Sequence, residues 1–154
     1  MMEKRLLIAF IFMFQMAFSQ LKTATFEQID SLQTIQKKHV VVFIHTDWCK
    51  FCKQMERTTF TDESVISKLN DRFYFVSFDA ESRQKITFNG HEFRFKPSGN
   101  HTGVHELAVA LGTIDKQIAY PILCILNDKY EILFQHSGFL TAKDFNAVLQ
   151  KLSE

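Results

Sequence analysis

The sequence predicts an α/β domain with a mixed central β-sheet and helices on both of its faces. Two observations carry that prediction. Amphipathic segments of helical spacing alternate along the chain with short β-branched runs, an order that packs helices onto a sheet. The run Val40-Val41-Val42-Phe43-Ile44 is apolar at every position, as suits a strand covered on both sides. The length of 154 residues fits one domain. Its 18 Lys+Arg against 17 Asp+Glu exclude a nucleic-acid partner held by phosphate charge. With 46% hydrophobic and 23% charged residues the chain is globular rather than disordered. Five Gly and two Pro exclude collagen-like or linker-dominated architectures, and three Cys are too few for a disulfide scaffold. The cysteines are therefore read for chemistry.

Residues 1–19 stand apart from the fold. Lys4 and Arg5 precede an apolar run from Leu6 to Phe18, and Ala17-Phe18-Ser19 places small residues where a cleavage before Gln20 needs them. That is the pattern of a secretory signal peptide. The alternative is a membrane anchor, but the run falls short of the ~20 residues that span a bilayer. Export would place residues 20–154, as one domain, where thiols oxidise and stay oxidised.

The elements follow in order. Thr25 with Gln28 has the spacing of a capping box, and Phe26, Ile29, Leu32 and Ile35 recur at helical spacing to about Lys37. The strand Val40–Ile44 comes next, then a turn over His45 to Trp48 and a helix from about Cys49 to Thr59. Thr61 or Asp62 caps a short helix through Leu69. Phe73 to Asp79 reads as a second strand. Ile86–Phe88 and His91–Phe93 flank Asn89-Gly90, whose two residues tolerate the positive φ of a tight hairpin. Pro97, Ser98, Gly99 and Asn100 mark a loop. His105 to Leu111 is expected as a helix, with Gly112 as the residue just beyond its end. Pro121–Asn127 and Glu131–His136 form two strands around a turn at Asp128. After Gly138, Thr141 opens a last helix with Phe145, Val148, Leu149 and Leu152 inward.

Trp48-Cys49-Lys50-Phe51-Cys52 carries the chemistry. A Cys-x-x-Cys directly after an apolar strand puts the first sulfur at a helix N-terminus, where unpaired N–H groups and the dipole favour thiolate. The second lies nearly one turn further in, close enough to bond the first. Such a dithiol attacks a disulfide with one sulfur and resolves the mixed disulfide with the other. Two other readings compete. Zinc would require a second ligand pair, which Cys124 alone does not supply and His101-x3-His105 could complete. A purely structural disulfide is also compatible with export. Redox chemistry is the preferred reading, with no metal and no cofactor.

Over most of residues 21–154 the sequence resembles the thioredoxin superfamily. Thr46-Asp47-Trp48-Cys49-Lys50-Phe51-Cys52-Lys53-Gln54-Met55-Glu56, followed by Thr58-Thr59-Phe60, is similar to exported thioredoxin-like proteins and to the C-terminal domain of DsbD-type thiol:disulfide interchange proteins. The resemblance implies a thioredoxin fold. It identifies Pro121, after Tyr120, as a cis-proline facing the cysteine pair, so that Trp48, Tyr120 and Pro121 are expected to contact substrate. Two departures stand out. The buried Asp that thioredoxin places six residues before its first cysteine is replaced by Phe43, and residues 82–105 are an insertion, hairpin and loop, before the cis-proline strand.

Glu56 is expected to replace the missing acid. It is i+4 from Cys52, so the two share a helix face, and a carboxylate there could accept the Cys52 proton during resolution. A solvated Glu56 pairing with Lys53 is the plainer alternative. Cys124, inside an apolar strand, is expected as a buried inert thiol. Asp47 reads as a solvated turn residue, and His91, His101 and His105 as surface histidines. The insertion is expected either to cover solvent-facing surface or to form a lid or recognition rim near Pro121. The functional expectation is an exported, periplasmic or secreted monomeric thiol–disulfide oxidoreductase. Its partners would be protein thiols or disulfides and an upstream redox protein, with membrane contact only through the signal peptide. The rival is a non-catalytic binding module whose insertion grips a partner protein.

Overall fold

The computed structural model describes residues 20–153, so the expected signal peptide at 1–19 lies outside the described residues. The first helix, α1 (Phe26–Ile35), starts where Gln28 Oε1 accepts the Thr25 N–H at 3.0 Å. Strand β1 (His39–His45) is followed by α2 (Lys50–Thr58) and α3 (Glu63–Arg72), the latter capped by Asp62 on the Ser64 and Val65 N–H groups. Then come β2 (Phe73–Asp79), β3 (Ile86–Phe88), β4 (His91–Phe93), β5 (Phe95–Pro97) and β6 (Gly103–His105). The chain closes with α4 (Glu106–Gly112), β7 (Ile122–Leu126), β8 (Ile132–Ser137) and α5 (Ala142–Leu152). Among the described residues no helix is long and apolar enough to cross a membrane.

The central sheet has the order β2-β1-β7-β8, with β1 parallel to β2 and the other pairs antiparallel. A parallel neighbour needs a crossover, and α2 with α3 provides it. Strand β1 alternates between two apolar layers. Val40, Val42 and Ile44 face α1 and α4, meeting Phe26, Ile29, Leu107 and Leu111. Val41 and Phe43 face α2, α3 and α5, meeting Met55, Val65, Leu69, Phe145 and Leu149. This double covering is why Val40–Ile44 is apolar throughout.

The inserted segment adds to its expected form. The expected loop is present over residues 98–102 and closes a second hairpin: β5 and β6 pair antiparallel on either side of it, Ser98 donating its N–H to Thr102 O at 3.0 Å. A Cβ on Gly103 would lie 2.4 Å from Lys96 O, so this second hairpin closes only around a glycine. The first hairpin is part of the core. Ile86 and Phe88 are buried in the layer facing α1, with the Phe88 ring 5.0 Å from Phe26 and 4.7 Å from Tyr130. That layer is the one turned away from the cysteines, so β3 covers that face of the sheet.

Two expectations are corrected. His105 is fully buried rather than on the surface. It is the N-cap of α4, accepting the Leu107 N–H on Nδ1 at 3.2 Å, with Nε2 2.9 Å from Gln84 O. Gly112 is the last residue of α4 rather than the residue beyond it, and Thr113 is the C-cap. The glycine is needed for close packing, because a Cβ there would come within 2.8 Å of Ile122 Cδ1.

Candidate redox site

The site forms where β1 ends. After His45 the chain leaves the sheet at Thr46, the Cys49 N–H bonds Thr46 O at 3.2 Å, and α2 begins with Cys49 as its N-cap. Cys49 and Cys52 are joined by a disulfide with a Cα–Cα distance of 5.2 Å, and Cys49 Sγ accepts the Cys52 N–H at 3.1 Å. The first sulfur thus occupies the end of the helix where free N–H groups stabilise negative charge. Cys49 keeps 5% of its surface exposed and Cys52 none. The two sulfurs are therefore unequal in access.

The helix is held at its other end by the Thr-Thr-Phe stretch. Thr59 Oγ1, buried, donates to Leu140 O at 2.6 Å. The Phe60 ring lies 4.7 Å from Phe43, 5.1 Å from Phe75 and 6.0 Å from Phe145. Phe43, in the position of the absent acid, is thus a packing residue under the redox helix.

Around the disulfide the surface is apolar and aromatic. Trp48 and Phe51 are 66% and 61% exposed, unusual for residues of their size. Trp48 is fixed on two sides: its Nε1 donates to Glu81 Oε1 at 3.2 Å, and its ring meets the Tyr120 ring edge-on at 6.1 Å. The Tyr120–Pro121 peptide bond is cis. Tyr120 packs against both apolar layers with its hydroxyl buried and without a hydrogen-bond partner among the described residues. Burial, with the nearby Glu81 and Asp79 carboxylates, pushes its phenol up to about 12. Trp48, next to Cys49 in the chain, thus meets Tyr120, which packs against the layer that holds the disulfide.

Glu56 stands on α2 at the border of the buried face. The residue that shares full burial with Cys52 is Met55, while the Glu56 side chain is 35% exposed and pairs with Lys53 at 3.5 Å. Cys124 lies in the opposite apolar layer, separated from the disulfide by the sheet, and burial pushes its thiol up to about 12. A zinc site joining Cys124 to the Cys49 pair is thereby excluded, and His105 is committed to capping α4.

One residue at the site escaped the sequence reading. His45, the last residue of β1, is half-buried, its ring stacked on Phe43 at 5.3 Å, and it sits opposite Asp79 of β2. Its Nδ1 is buried without a hydrogen-bond partner among the described residues. Burial holds its pKa below the usual 6.5, opposed by Glu56, Asp79 and Asp47 and reinforced by Lys53. The signal was its place two residues after Phe43, on the same face of the strand.

Comparison with known proteins agrees with this geometry. A family described as a thioredoxin-like domain matches residues 26–153. The thiol:disulfide interchange protein DsbD of Actinobacillus pleuropneumoniae serotype 5b (strain L20) is 39% identical over 51 residues. That match covers 29% of this chain and 9% of DsbD, so the chain corresponds to a small part of that protein. Among solved structures, a DsbH oxidoreductase superposes with a TM-score of 0.61 at 14% identity, covering 90% of this chain and 88% of the other. A thioredoxin from Thermus thermophilus gives 0.59 at 20% identity with 86% of each chain covered. The oxidised DsbD C-terminal domain of Neisseria meningitidis gives 0.56 at 18%, covering 82% and 90%. With the family matched over nearly all of the described residues and its fold recovered around a Cys-x-x-Cys disulfide, this chain belongs to the thioredoxin-like domain family of the thioredoxin superfamily.

Proposed function

We propose that the protein is an exported thiol–disulfide oxidoreductase that reduces or exchanges disulfides in other proteins. The observation that carries this reading is the Cys49–Cys52 disulfide at a helix N-terminus, with Cys49 at 5% exposure and Cys52 fully buried. In the reduced form, Cys49 thiolate attacks a substrate disulfide. A bond forms between Cys49 Sγ and one substrate sulfur, and the other leaves as thiolate and takes up a proton. Cys52 then gives up its proton and attacks Cys49 Sγ. The mixed disulfide breaks, the second substrate thiol departs, and two electrons have passed from the dithiol to the substrate.

The other residues take roles around this exchange. Trp48 gives the substrate an apolar contact whose position Glu81 and Tyr120 fix. Tyr120 and Pro121 form the adjoining wall, where substrate backbone pairs. Glu56 accepts the Cys52 proton during resolution; its half-buried place one turn along α2 supports this. The signal-peptide pattern of residues 1–19 supports a periplasmic or secreted location, where an upstream redox protein would restore the dithiol. DsbD is itself named a thiol:disulfide interchange protein, which supports partners of the same class.

The test is turnover. With dithiothreitol as electron source, the purified protein should accelerate insulin disulfide reduction, and Cys49→Ser should abolish the acceleration. A protein that binds insulin or other disulfide partners without turnover would overturn the reading in favour of a binding module.

A further inference from the structure

Charge is spread unevenly along this chain, and the uneven part is the insertion. Setting aside Glu3, Lys4 and Arg5, the 18 Lys+Arg and 17 Asp+Glu of the chain become 16 of each over residues 20–154. Within this neutral domain, residues 82–105 carry Arg83, Lys85, Arg94 and Lys96 against Glu92 alone. The insertion thus bears +3 and the remainder −3. All four cations are exposed. Glu92 is shared between Lys85, at 2.9 Å, and Arg94, while Lys96 reaches Glu106 of α4 at 3.0 Å. Arg83 has no carboxylate partner among the described residues, and its guanidinium lies over the Phe95 ring, 5.0 Å from the centroid. Ion pairs this open to water are weak and screened by salt, so the cations can exchange them for carboxylates of another molecule.

This surface adjoins the redox site. Ala80, just before the insertion, donates its N–H to His45 O at 2.8 Å and accepts the His105 N–H at 2.8 Å. Both ends of the insertion are thereby fastened to the end of β1, from which the chain turns to Trp48 and Cys49. Glu81, the residue before the insertion, holds the Trp48 indole at 3.2 Å. We propose that Arg83, Lys85, Arg94 and Lys96 form a docking surface for an acidic segment of the protein whose disulfide is exchanged at Cys49. The inference rests on the proposed exchange and names the kind of substrate that it favours. An occupant that uses both the insertion and the adjoining cysteines carries a disulfide as well as carboxylates, which is the chemistry of a protein rather than of a nucleic acid or a lipid. Docking leaves the bond changes at sulfur as they are. The cations raise the local concentration of acidic substrate and speed its first encounter with Cys49.

The test uses two synthetic peptides that share one disulfide loop, flanked in one by a run of Glu and in the other by a run of Lys. Reduced protein is mixed with each in stopped flow, with hydroxyethyl disulfide as an uncharged control. At about 50 mM salt wild type should reduce the Glu peptide about tenfold faster than the Lys peptide, the lower end of electrostatic steering. The ratio should fall toward one at about 0.5 M salt. Replacing all four cations (Arg83→Gln, Lys85→Gln, Arg94→Gln, Lys96→Gln) should remove the preference at low salt and leave the hydroxyethyl disulfide rate unchanged. A wild type without the preference, or a variant that keeps it, overturns the proposal. Binding to phosphatidylserine vesicles that the substitutions abolish, with the peptide ratio unmoved, overturns it in favour of a membrane surface. Should the fourfold variant fail to fold, Arg83→Gln alone decides, since that side chain is exposed and holds no ion pair among the described residues. It should lower the ratio about twofold, one of four equal shares of the tenfold preference, and an unchanged ratio overturns the proposal. If wild type reduces neither peptide nor hydroxyethyl disulfide, the exchange reading falls and this inference falls with it.

Discussion

On one face of the sheet the apolar layer ends in a disulfide; on the other it ends in a hairpin. Both layers draw on the same three strands, β1, β2 and β7, through alternate residues. The redox face is closed by three helices, α2, α3 and α5, and its packing centres on Phe60 against Phe43, Phe75 and Phe145. The other face has only α1 and the short α4, and the inserted β3 completes it with Ile86 and Phe88. Length of helix explains the difference. A helix of seven residues such as α4 covers too little of a four-stranded sheet, so a further element must exclude water there. The hairpin is that element, and it leaves the opposite face free for chemistry.

The sharpest way to break this comparison is to remove one aromatic from each face. Phe88→Ala and Phe60→Ala should each destabilise the fold by about 3–5 kcal/mol, the usual cost of emptying a buried phenylalanine site. Only Phe60→Ala should also disturb disulfide exchange per folded molecule, because Phe60 and Thr59 fix the far end of α2. Denaturant unfolding paired with insulin turnover measures both. Equal losses of specific activity would mean that the two faces are not functionally separate.

A smaller effect probes the insertion alone. His105→Ala removes the α4 cap and the contact to Gln84 O, leaving buried backbone groups unpaired. The expected loss is about 1–3 kcal/mol, with exchange unchanged at equal folded concentration. Denaturant midpoints for wild type and variant measure it, and a neutral substitution would show that the insertion closes without its central histidine.

These contrasts also explain what could be read from the sequence. The redox face was legible because its signals are local: an apolar strand, a Cys-x-x-Cys and capping residues within one stretch of chain. The Asn89-Gly90 hairpin was legible for the same reason, since the turn chemistry lies in two adjacent residues. Its burial was not, because Phe88 finds Phe26 and Tyr130 only after the chain has folded. The β5–β6 pairing depends on Gly103 passing close to Lys96 O, a contact between residues seven apart with no local mark. Histidine 105 looked like a surface residue because polar type is a poor guide where both ring nitrogens find backbone partners. His45 was overlooked for a related reason: its place on the strand face was readable, but the groups gathered around it come from three separate elements.

The smallest effect is in stability against pH. Because His45 has a folded pKa below the unfolded 6.5, the unfolded chain binds its proton first as pH falls. Stability should therefore be fully present above about 6.5 and decline as pH drops from there toward the folded pKa. The shift on Asp62 acts separately: its carboxyl, held down by Ser64 and Val65, loses its contribution only as pH falls below its ordinary 3.8 and through its lower folded value. Unfolding curves between pH 7.5 and 5 should thus show a decline in wild type that His45→Gln reduces. An unchanged slope would detach His45 from the redox face's electrostatics.

The central claim is that Cys49 is the attacking sulfur and Cys52 the resolving one, and trapping tests it most directly. Cys52→Ser, reduced and then offered a protein disulfide, should accumulate a mixed disulfide that mass spectrometry maps to Cys49. Cys49→Ser, with Cys52 intact beneath the surface, should accumulate none. Adducts on Cys52 in the Cys49→Ser protein, with none on Cys49 in Cys52→Ser, would contradict the assignment and the reading of the helix terminus on which it rests.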